Sequence, residues 1–205
     1  MNTENDIKIE LAAGELKEMA LSVRKKVFIK EQKIPKNLEF NKNDDYAVHI
    51  LAYIQKRHRK LPIGTMRIRL FADFAIFERM AVIHNFRKTN VAQKIMEYGF
   101  NYVSIKGYKK VRGMCKQELL NHWEQCGYKK IKDAKAIQHN GMTLIPIERQ
   151  LPPNPQALNM ASEASLLAAQ EGHWFDKNET SQQPLSKIDS IFLHLKKFRD
   201  QHLKI

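Results

Sequence analysis

The stretch that decides the fold is ERMAVIHNFRKTNVAQKIMEYGF, residues 78–100. An apolar run ends near residue 83, a short basic polar loop follows, and an amphipathic pattern begins at Val91. Helical spacing of the apolar positions predicts a helix over about residues 90–106. The buried side of that helix is predicted to consist of Val91, Ile95, Gly99, Tyr102 and Val103. The stretch therefore predicts a strand, a loop and a helix in succession.

The loop between them is a candidate phosphate site. A helix N-terminus offers free backbone N–H groups and a partial positive charge, which together bind phosphate. The basic side chains at its start add charge-assisted donors. The candidate residues are Arg87, Lys88, Thr89, Asn90, Val91 and Ala92. An ordinary strand-to-helix turn is the alternative, and Asn90 followed by Gln93 also resembles a capping box with Asn90 in the cap position.

Upstream of this stretch, the pattern predicts one helix and four strands. Alternation and β-branched or aromatic content predict strands over residues 7–11, 46–55, 63–71 and 74–83. Residues 15–30 have helical spacing, and residues 31–45 show no periodicity, which indicates a loop. In the strand at 63–71, Arg67 and Arg69 are predicted on one face and the apolar side chains on the other.

Downstream, a strand (109–115), a short helix (116–127) and an antiparallel pair (128–133 and 141–149) are predicted. The resulting order is β-α-β-β-β-α-β-α-β-β. Three strands in succession, followed by βαβ units, predict an α/β (α+β) fold with a mixed, mostly antiparallel central sheet flanked by helices.

The chain is predicted to divide into a domain of residues 1–150 and a helical C-terminal extension of residues 151–205. LPPNPQ is typical of a linker, and residues 157–172 are prone to form a helix. Residues 186–205 form an amphipathic pattern whose apolar stripe we expect to pack on the domain or on a second copy of the chain, which would make a homodimer.

The net charge of +13 limits the classes of partner. Acidic and basic side chains balance after residue 150, so residues 1–150 carry the whole excess. Such a field attracts a nucleic acid, an anionic membrane surface or a phosphorylated cofactor, although it also suits a merely solubilising surface. No apolar run approaches the roughly 18–20 residues that a membrane span needs. Two cysteines without metal-ligand spacing and an N-terminus without a signal pattern predict a cytoplasmic protein without a metal.

Over roughly residues 7–148 the chain resembles the GNAT superfamily of acetyl-CoA-dependent N-acetyltransferases, with its small bacterial branch nearest. The resemblance rests on VRKKVFIKEQKIP, LEFNKNDDYAVHILAY, PIGTMRIRL, FERMAV, the loop, HWEQCGY and IQHNGM. The family's cofactor loop is usually R/Q-x-x-G-x-G/A. Arg87 matches its first position and Ala92 its last, Asn90 replaces the central glycine, and Lys88 stands where a glycine is common.

The resemblance implies transfer of an acetyl group from acetyl-CoA to an amine acceptor. Backbone groups of the fourth strand, about Met80, Ala81 and Val82, would bind the pantetheine arm and polarise the thioester carbonyl. The loop from Arg87 to Ala92 would bind the pyrophosphate.

The attacking amine must lose a proton, so a base is required. Glu78 is the first candidate because it lies on the strand with the cofactor groups, although it could instead be a solvent-facing carboxylate paired with Arg79 or Arg67. His49 on the neighbouring strand titrates near neutral pH, and a structural histidine is the alternative. Acidic residues before that strand could attract a cationic amine or form a solvated loop; they are Glu39, Asp44 and Asp45.

A tyrosine commonly serves as the general acid in this family, but the corresponding position here is Trp123. Indole N–H has no pKa suited to acid catalysis, and a plain core residue is the alternative for Trp123. The sequence thus leaves three hypotheses: an active acetyltransferase, a degenerate acyl-CoA-binding sensor or partner protein, and a nucleic-acid binder. The last is disfavoured because no recognisable nucleic-acid motif accompanies the basic patches KRHRK, KGYKKVR and YKKIKDAK.

Overall fold

A computed structural model of the chain describes residues 7–139 and 141–175. Its eight-stranded sheet has the order β1-β2-β3-β4-β5-β8-β6, with β7 also paired to β8. The strands are β1 (Ile7–Leu11), β2 (Val48–Lys56), β3 (Arg59–Leu70), β4 (Ala75–Val82), β5 (Lys110–Lys116), β6 (Lys129–Lys130), β7 (Ile137–His139) and β8 (Met142–Gln150).

Six α-helices accompany the sheet in the described ranges. They are α1 (Glu15–Arg24), α2 (Lys36–Glu39), α3 (Asn43–Tyr46), α4 (Val91–Ile105), α5 (Leu120–Gln125) and α6 (Ala164–Ala168). A π-helix (Lys25–Glu31) continues α1, and short 3₁₀-helices span His84–Phe86 and Gln117–Leu119. No helix in these ranges has both the length and the apolar content to span a bilayer.

Strand pairing is antiparallel except between β4 and β5. The predicted mixed, mostly antiparallel sheet is therefore confirmed. The predicted connection by helix α4 explains the exception, because a parallel neighbour requires a crossover long enough for a helix.

Helices cover both faces of the sheet, so the central strands β2 and β3 each contain six consecutive buried residues. On one face, Ala20 of α1 packs with Leu51 and Tyr53 of β2. On the other face, α4 passes so close to β3 that a Cβ at Gly64 would lie 2.8 Å from Ile95 Cδ1. The apolar stripes predicted for both helices thus form the core.

Gly99 of α4 permits the same close approach beside β4. A Cβ added there would lie 2.5 Å from Met66 Cε and 3.1 Å from the Phe77 ring. We expect Gly99→Val to lower the free energy of unfolding by about 1–3 kcal/mol, because overpacking outweighs the gain in helix propensity. Urea unfolding measures this, with Gln93→Val on the exposed side of the same helix as the control. An unchanged midpoint would show that the contact relaxes freely.

Several predicted details differ from the structure. The loop predicted over 31–45 contains the one-turn helices α2 and α3, which are too short to produce a periodic pattern. The strand predicted to begin at residue 63 begins at Arg59, because Lys56 pairs with Arg59 across a two-residue turn. The C-terminal pair consists of three strands, because the ladder of β8 is shared between β6 and β7.

The predicted capping box is wrong. Asn90 makes no side-chain capping bond, and its Oδ1 is buried without a hydrogen-bond partner. Gln93 Nε2 instead donates to Glu97 at 2.7 Å. Thr89 Oγ1 accepts a long bond of 3.4 Å from the Val91 N–H, and donates to Phe86 O at 2.7 Å. The helix end is therefore stabilised by the residue before the predicted cap.

The chain separates into two compact units between Ala157 and Leu158, a few residues after the predicted boundary. In the second unit only α6 is helical among the residues described, so the helix predicted over 157–172 is much shorter. The amphipathic segment 186–205 lies outside the described residues. The helical extension and the homodimer through it remain predictions.

Candidate active site

A cleft opens where β4 and β5 cease to pair. These strands pair only at Ala75–Val111 and Ile76–Arg112, after which they diverge. The edge of β4 that faces β5 is therefore without a strand partner from Phe77 to Val82. Strand backbone carries strong donors and acceptors along an unpaired edge, so an extended ligand can pair with it.

A β-bulge re-aims the backbone in the middle of this edge. Thr65 pairs with Ala81 and Arg67 with Glu78, so the β4 strand holds an extra residue between these pairs. Arg79 takes part in the bulge with a left-handed φ of 55°. Bulges of this kind occur beside active sites because they turn backbone groups away from the ladder. The bulge lies immediately before Met80, at the start of the predicted pantetheine-binding groups.

The cleft continues into a cavity of about 780 Å³. Its lining is mainly apolar and includes residues from the π-helix, both diverging strands, α4, α5 and β8. Among them are Phe28, Met66, Phe77, Met80, Met96, Met114, Trp123, Tyr128 and Leu144. The charged lining residues are Glu39, Arg69, Glu78, Arg79, Arg112 and Lys116. A concave apolar site with a few polar groups is the usual form of a small-molecule site.

The predicted phosphate loop follows the open end of β4. Lys88 adopts a left-handed φ of 64°, whereas Asn90 has a φ of −80°. The conformation that favours glycine is thus present at Lys88 and absent at Asn90. Among the described residues, the backbone N–H groups of Ala92 and Gln93 have no protein acceptor. The loop therefore presents free donors at the N-terminus of a helix of fifteen residues.

Arg87 is tied back to the protein. Its Nη2 donates to Glu31 Oε2 at 2.8 Å, and its Nη1 lies 2.5 Å from Glu31 Oε1. Its Nε donates to Val82 O at 3.1 Å. The guanidinium lowers the pKa of the Glu31 carboxyl, mainly by hydrogen bonding. An anion bound at this loop must share the Arg87 guanidinium with Glu31 or displace the Glu31 carboxylate from it.

Glu78 lines the cavity, and one of its two carboxylate oxygens accepts hydrogen bonds from arginines. Its Oε1 accepts from Arg69 Nε at 2.6 Å and from Arg67 Nε at 3.2 Å. Its Oε2 has no protein partner among the described residues. The alternative pairing considered for Glu78 is therefore present with Arg67 but not with Arg79. One oxygen with free lone pairs nevertheless remains available.

The chain is similar to known acetyltransferases, although no family model matches it. Over 113 residues it is 28% identical to a proposed acetyltransferase of Bacillus subtilis, covering 54% of this chain and 74% of that protein. The structure matches a proposed N-acetyltransferase from Lactobacillus plantarum with a TM-score of 0.65 and 23% identity, over 72% of this chain and all of that one.

A GNAT-family acetyltransferase from Staphylococcus aureus also matches, with a TM-score of 0.54 and 16% identity over 71% of this chain and 99% of that one. The chain has the fold of the GNAT superfamily. At these identities the likeness to the solved structures shows the GNAT fold. The donor, the acceptor and the roles of single residues have to be inferred from the chemistry of the site itself.

Seven charged side chains form an ion network beside the GNAT cleft, on the face of the sheet that α1 covers. Its members are Arg24, Glu39, Asp44, Arg67, Arg69, Glu78 and Arg79. Arg24 is fully buried and contacts Glu39 Oε1 at 2.6 Å and Asp44 Oδ1 at 2.5 Å. Burial alone would raise the pKa of Asp44, but hydrogen bonds from Arg24 and Arg67 outweigh it and hold this pKa at about 2. Glu39 and Asp44 are therefore structural anions and not members of a solvated loop.

The same network predicts a dependence of stability on pH. Asp44 has a pKa of about 2 in the folded chain, below its ordinary value of 3.8. A depressed carboxyl pKa contributes stability above the unfolded value, which is lost as the pH falls through the folded value. About 2 kcal/mol should therefore be lost between pH 4 and pH 2. Burial raises the pKa of Glu39, so Glu39 does not add to this loss.

Guanidinium chloride unfolding at a series of pH values measures this loss. Asp44→Asn should flatten the profile between pH 4 and pH 2, because the amide does not titrate. Asp45→Asn, at the next and exposed position, is the control and should leave the profile unchanged. A profile of Asp44→Asn identical to that of the wild type would contradict the role given to Asp44.

His49 lies behind this network. Its Nε2 lies 3.2 Å from Asp44 O, its Nδ1 is buried without a partner, and it is 2% exposed. Burial lowers the pKa of its imidazole, which favours the neutral form. It is not among the residues that line the cavity. Its assignment as a base stays a prediction that this geometry does not favour.

Trp123 is half-buried and lines the cavity, packing edge-on against Tyr128 with 5.4 Å between ring centroids. It is thus a wall of the site and not plain core. Burial raises the pKa of Tyr128, so its phenol stays protonated.

Sequence reasoning missed Phe74 and Arg112, which line the same cavity. Both lie in short segments without a motif. Only the strand register, which sequence does not reveal, brings Arg112 opposite Ile76.

Proposed function

We propose that this protein is an acyltransferase that moves an acetyl group from acetyl-CoA to a primary amine. The observation that carries the proposal is the unpaired β4 edge from Phe77 to Val82, bulged at Arg79, which leads from the cavity to the free N–H groups of α4. An extended arm with an amide backbone can pair along such an edge, and a pyrophosphate suits its end.

The residues present fit a CoA ester. The left-handed conformation at Lys88 keeps the loop's backbone in the form that favours glycine, despite the missing glycines. Ala92 and Gln93 offer free amides, and Arg87 offers a guanidinium beside them. Lys88, Thr89, Asn90 and Val91 complete the proposed pyrophosphate site. When bound, the thioester supplies an activated acetyl group.

The chain's own residues would then act in three ways. Glu78 Oε2 would accept the proton of the attacking amine. Backbone N–H groups among Met80, Ala81 and Val82 would hold the carbonyl oxygen, where negative charge develops. The cavity would hold both substrates in contact and exclude water. A thiol has a pKa near 8–9, so the thiolate can leave without a tyrosine at position 123.

A second candidate function is binding of an acyl-CoA without efficient turnover. Two observations favour it. Glu31 already occupies the paired Nη donors of Arg87, and Trp123 stands where the resembled family commonly has a tyrosine as general acid. Isothermal titration with acetyl-CoA, followed by a thiol-release assay against a panel of amines, separates the two. Binding with release of CoA in the presence of an amine supports transfer. Binding without release supports a sensor, and absence of binding overturns both.

Arg87→Ala tests the pyrophosphate site. We expect the Kd for CoA to rise about tenfold, the effect of losing a charge-assisted bond. Titration calorimetry measures this, with Arg57→Ala at the hairpin tip as a control for loss of one positive charge. Because Glu31 would be left unpaired beside the phosphate, the double variant Glu31→Gln/Arg87→Ala isolates the lost donor. Equal CoA affinity in all variants would remove Arg87 from the site.

A further inference from the structure

Two arginines stand in one row of the sheet and line the cavity. The register places Arg69 of β3, Ile76 of β4 and Arg112 of β5 opposite one another. Side chains in such a row point to the same face, and strands are about 4.8 Å apart. The two arginines therefore leave the sheet roughly 10 Å apart on either side of Ile76. This row is the last one before β4 and β5 diverge.

Each of the two guanidinium groups donates a hydrogen bond from its Nε atom and keeps its Nη donors available. Arg69 Nε donates to Glu78 Oε1 at 2.6 Å, and Arg112 Nε donates to Glu148 Oε2 at 3.3 Å. Arg112 also lies 4.5 Å from the centre of the Phe74 ring. Among the described residues, the Nη groups of both arginines have no protein acceptor. Two oriented pairs of donors thus remain at the cavity.

The local charge favours an anionic ligand. The ion network together with the Arg112–Glu148 pair holds one more arginine than carboxylates. Its cations are Arg24, Arg67, Arg69, Arg79 and Arg112, and its anions are Glu39, Asp44, Glu78 and Glu148. Lys116 adds another positive charge to the cavity lining, so an anionic group of the ligand would reduce this excess.

The same charges disfavour a polycationic acceptor. Neither carboxylate lining the described cavity is free of a cation, since Glu39 and Glu78 each contact two arginines. A polyamine would therefore find no partner for its additional charges.

We infer that Arg69 and Arg112 bind the carboxylate of the acceptor, and that the acceptor is an α-amino acid with an apolar side chain. Guanidinium groups bind carboxylates through paired N–H donors. The apolar part of the acceptor would contact Ile76, Phe74 and Met114, which line this cavity. The amine would then lie near Glu78, two residues along β4 from Ile76 on the same face. The inference rests on the proposed function and names its acceptor class.

Matched acceptors test the carboxylate. The initial rate of acetyl transfer is measured with L-phenylalanine and 2-phenylethylamine, and with L-leucine and 3-methylbutylamine. We expect kcat/KM to be about tenfold or more higher for each amino acid. In Arg112→Gln the ratio within each pair should fall about tenfold, mainly through KM. Comparing ratios between variants removes the difference in basicity between the two amines.

Lys110→Gln is the matched control, because it removes the same charge on the same face of β5 outside the cavity lining. Arg112→Lys keeps the positive charge but lacks the paired N–H donors of a guanidinium, so its ratio of kcat/KM for amino acid over amine should be intermediate. A ratio that is equal in Arg112→Gln and Lys110→Gln would overturn the assignment, as would preference for the decarboxylated amines.

A binding measurement separates this inference from the proposed function. Calorimetry of L-phenylalanine and of 2-phenylethylamine, without acetyl-CoA, reports the carboxylate site alone. Tighter binding of L-phenylalanine that Arg112→Gln abolishes supports the inference even if acetyl-CoA does not bind. Acetyl-CoA turnover with amines, but no preference for a carboxylate in rate or binding, leaves the transferase and rejects this acceptor class.

Discussion

Arg24→Met is expected to lower the free energy of unfolding by about 3–5 kcal/mol, because removal of one member of a buried ion pair is strongly destabilising. Without Arg24, Glu39 keeps only Arg79 and Asp44 keeps only Arg67 as a cationic partner among the described residues. Arg24 is fully buried and is the cation shared by Glu39 and Asp44. Methionine fills part of the same space and cannot neutralise either carboxylate. Guanidinium chloride unfolding at pH 7 measures the change.

Lys25→Met, at the next and exposed position of the chain, is the control for Arg24→Met. It introduces the same side chain and removes the same charge, but it takes no cation away from a buried carboxylate. We expect its free energy of unfolding to stay within about 0.5 kcal/mol of the wild type. Equal stability of the two variants would show that the network contributes nothing beyond its packing.

The fold was predictable because its signals are local. The alternation in β3 and the 3.6-residue stripe of α4 arise from single elements that bury one side. The one-turn helices α2 and α3 could not be predicted, since their positions depend on Glu39 and Asp44 reaching Arg24 across the sequence. The bulge at Arg79 was equally invisible, because an arginine gives no sign of a left-handed backbone.

The part of the candidate site that is contiguous in sequence was predictable, whereas the contacts between neighbouring strands were not. The loop from Arg87 to Ala92 is contiguous, so its place after a strand and before a helix could be predicted directly. The partner of Arg87 could not, because Glu31 is 56 residues away. The pairing of Arg69 with Glu78 and the approach of Arg112 depend on the register of three strands. Register is set by the whole sheet and leaves no local pattern.

Glu78→Gln is expected to lower kcat by about 100-fold or more with little change in the Kd for acetyl-CoA, the effect of removing a general base. Glutamine keeps the size of the side chain, and its amide oxygen can still accept from Arg69 and Arg67. The hydrogen-bonded position of Glu78 Oε1 should thus persist, while the other end of the side chain can no longer take a proton. Steady-state rates and calorimetry on the same preparation separate the two quantities.

Glu10→Gln is the matched control for Glu78→Gln. Glu10 is also a strand carboxylate that pairs with a cation, Lys60, but it is not among the residues that line the cavity. Loss of an ion pair on the sheet alone would affect both variants similarly, whereas loss of a base affects only Glu78→Gln. Unchanged turnover in Glu78→Gln would exclude Glu78 as the base.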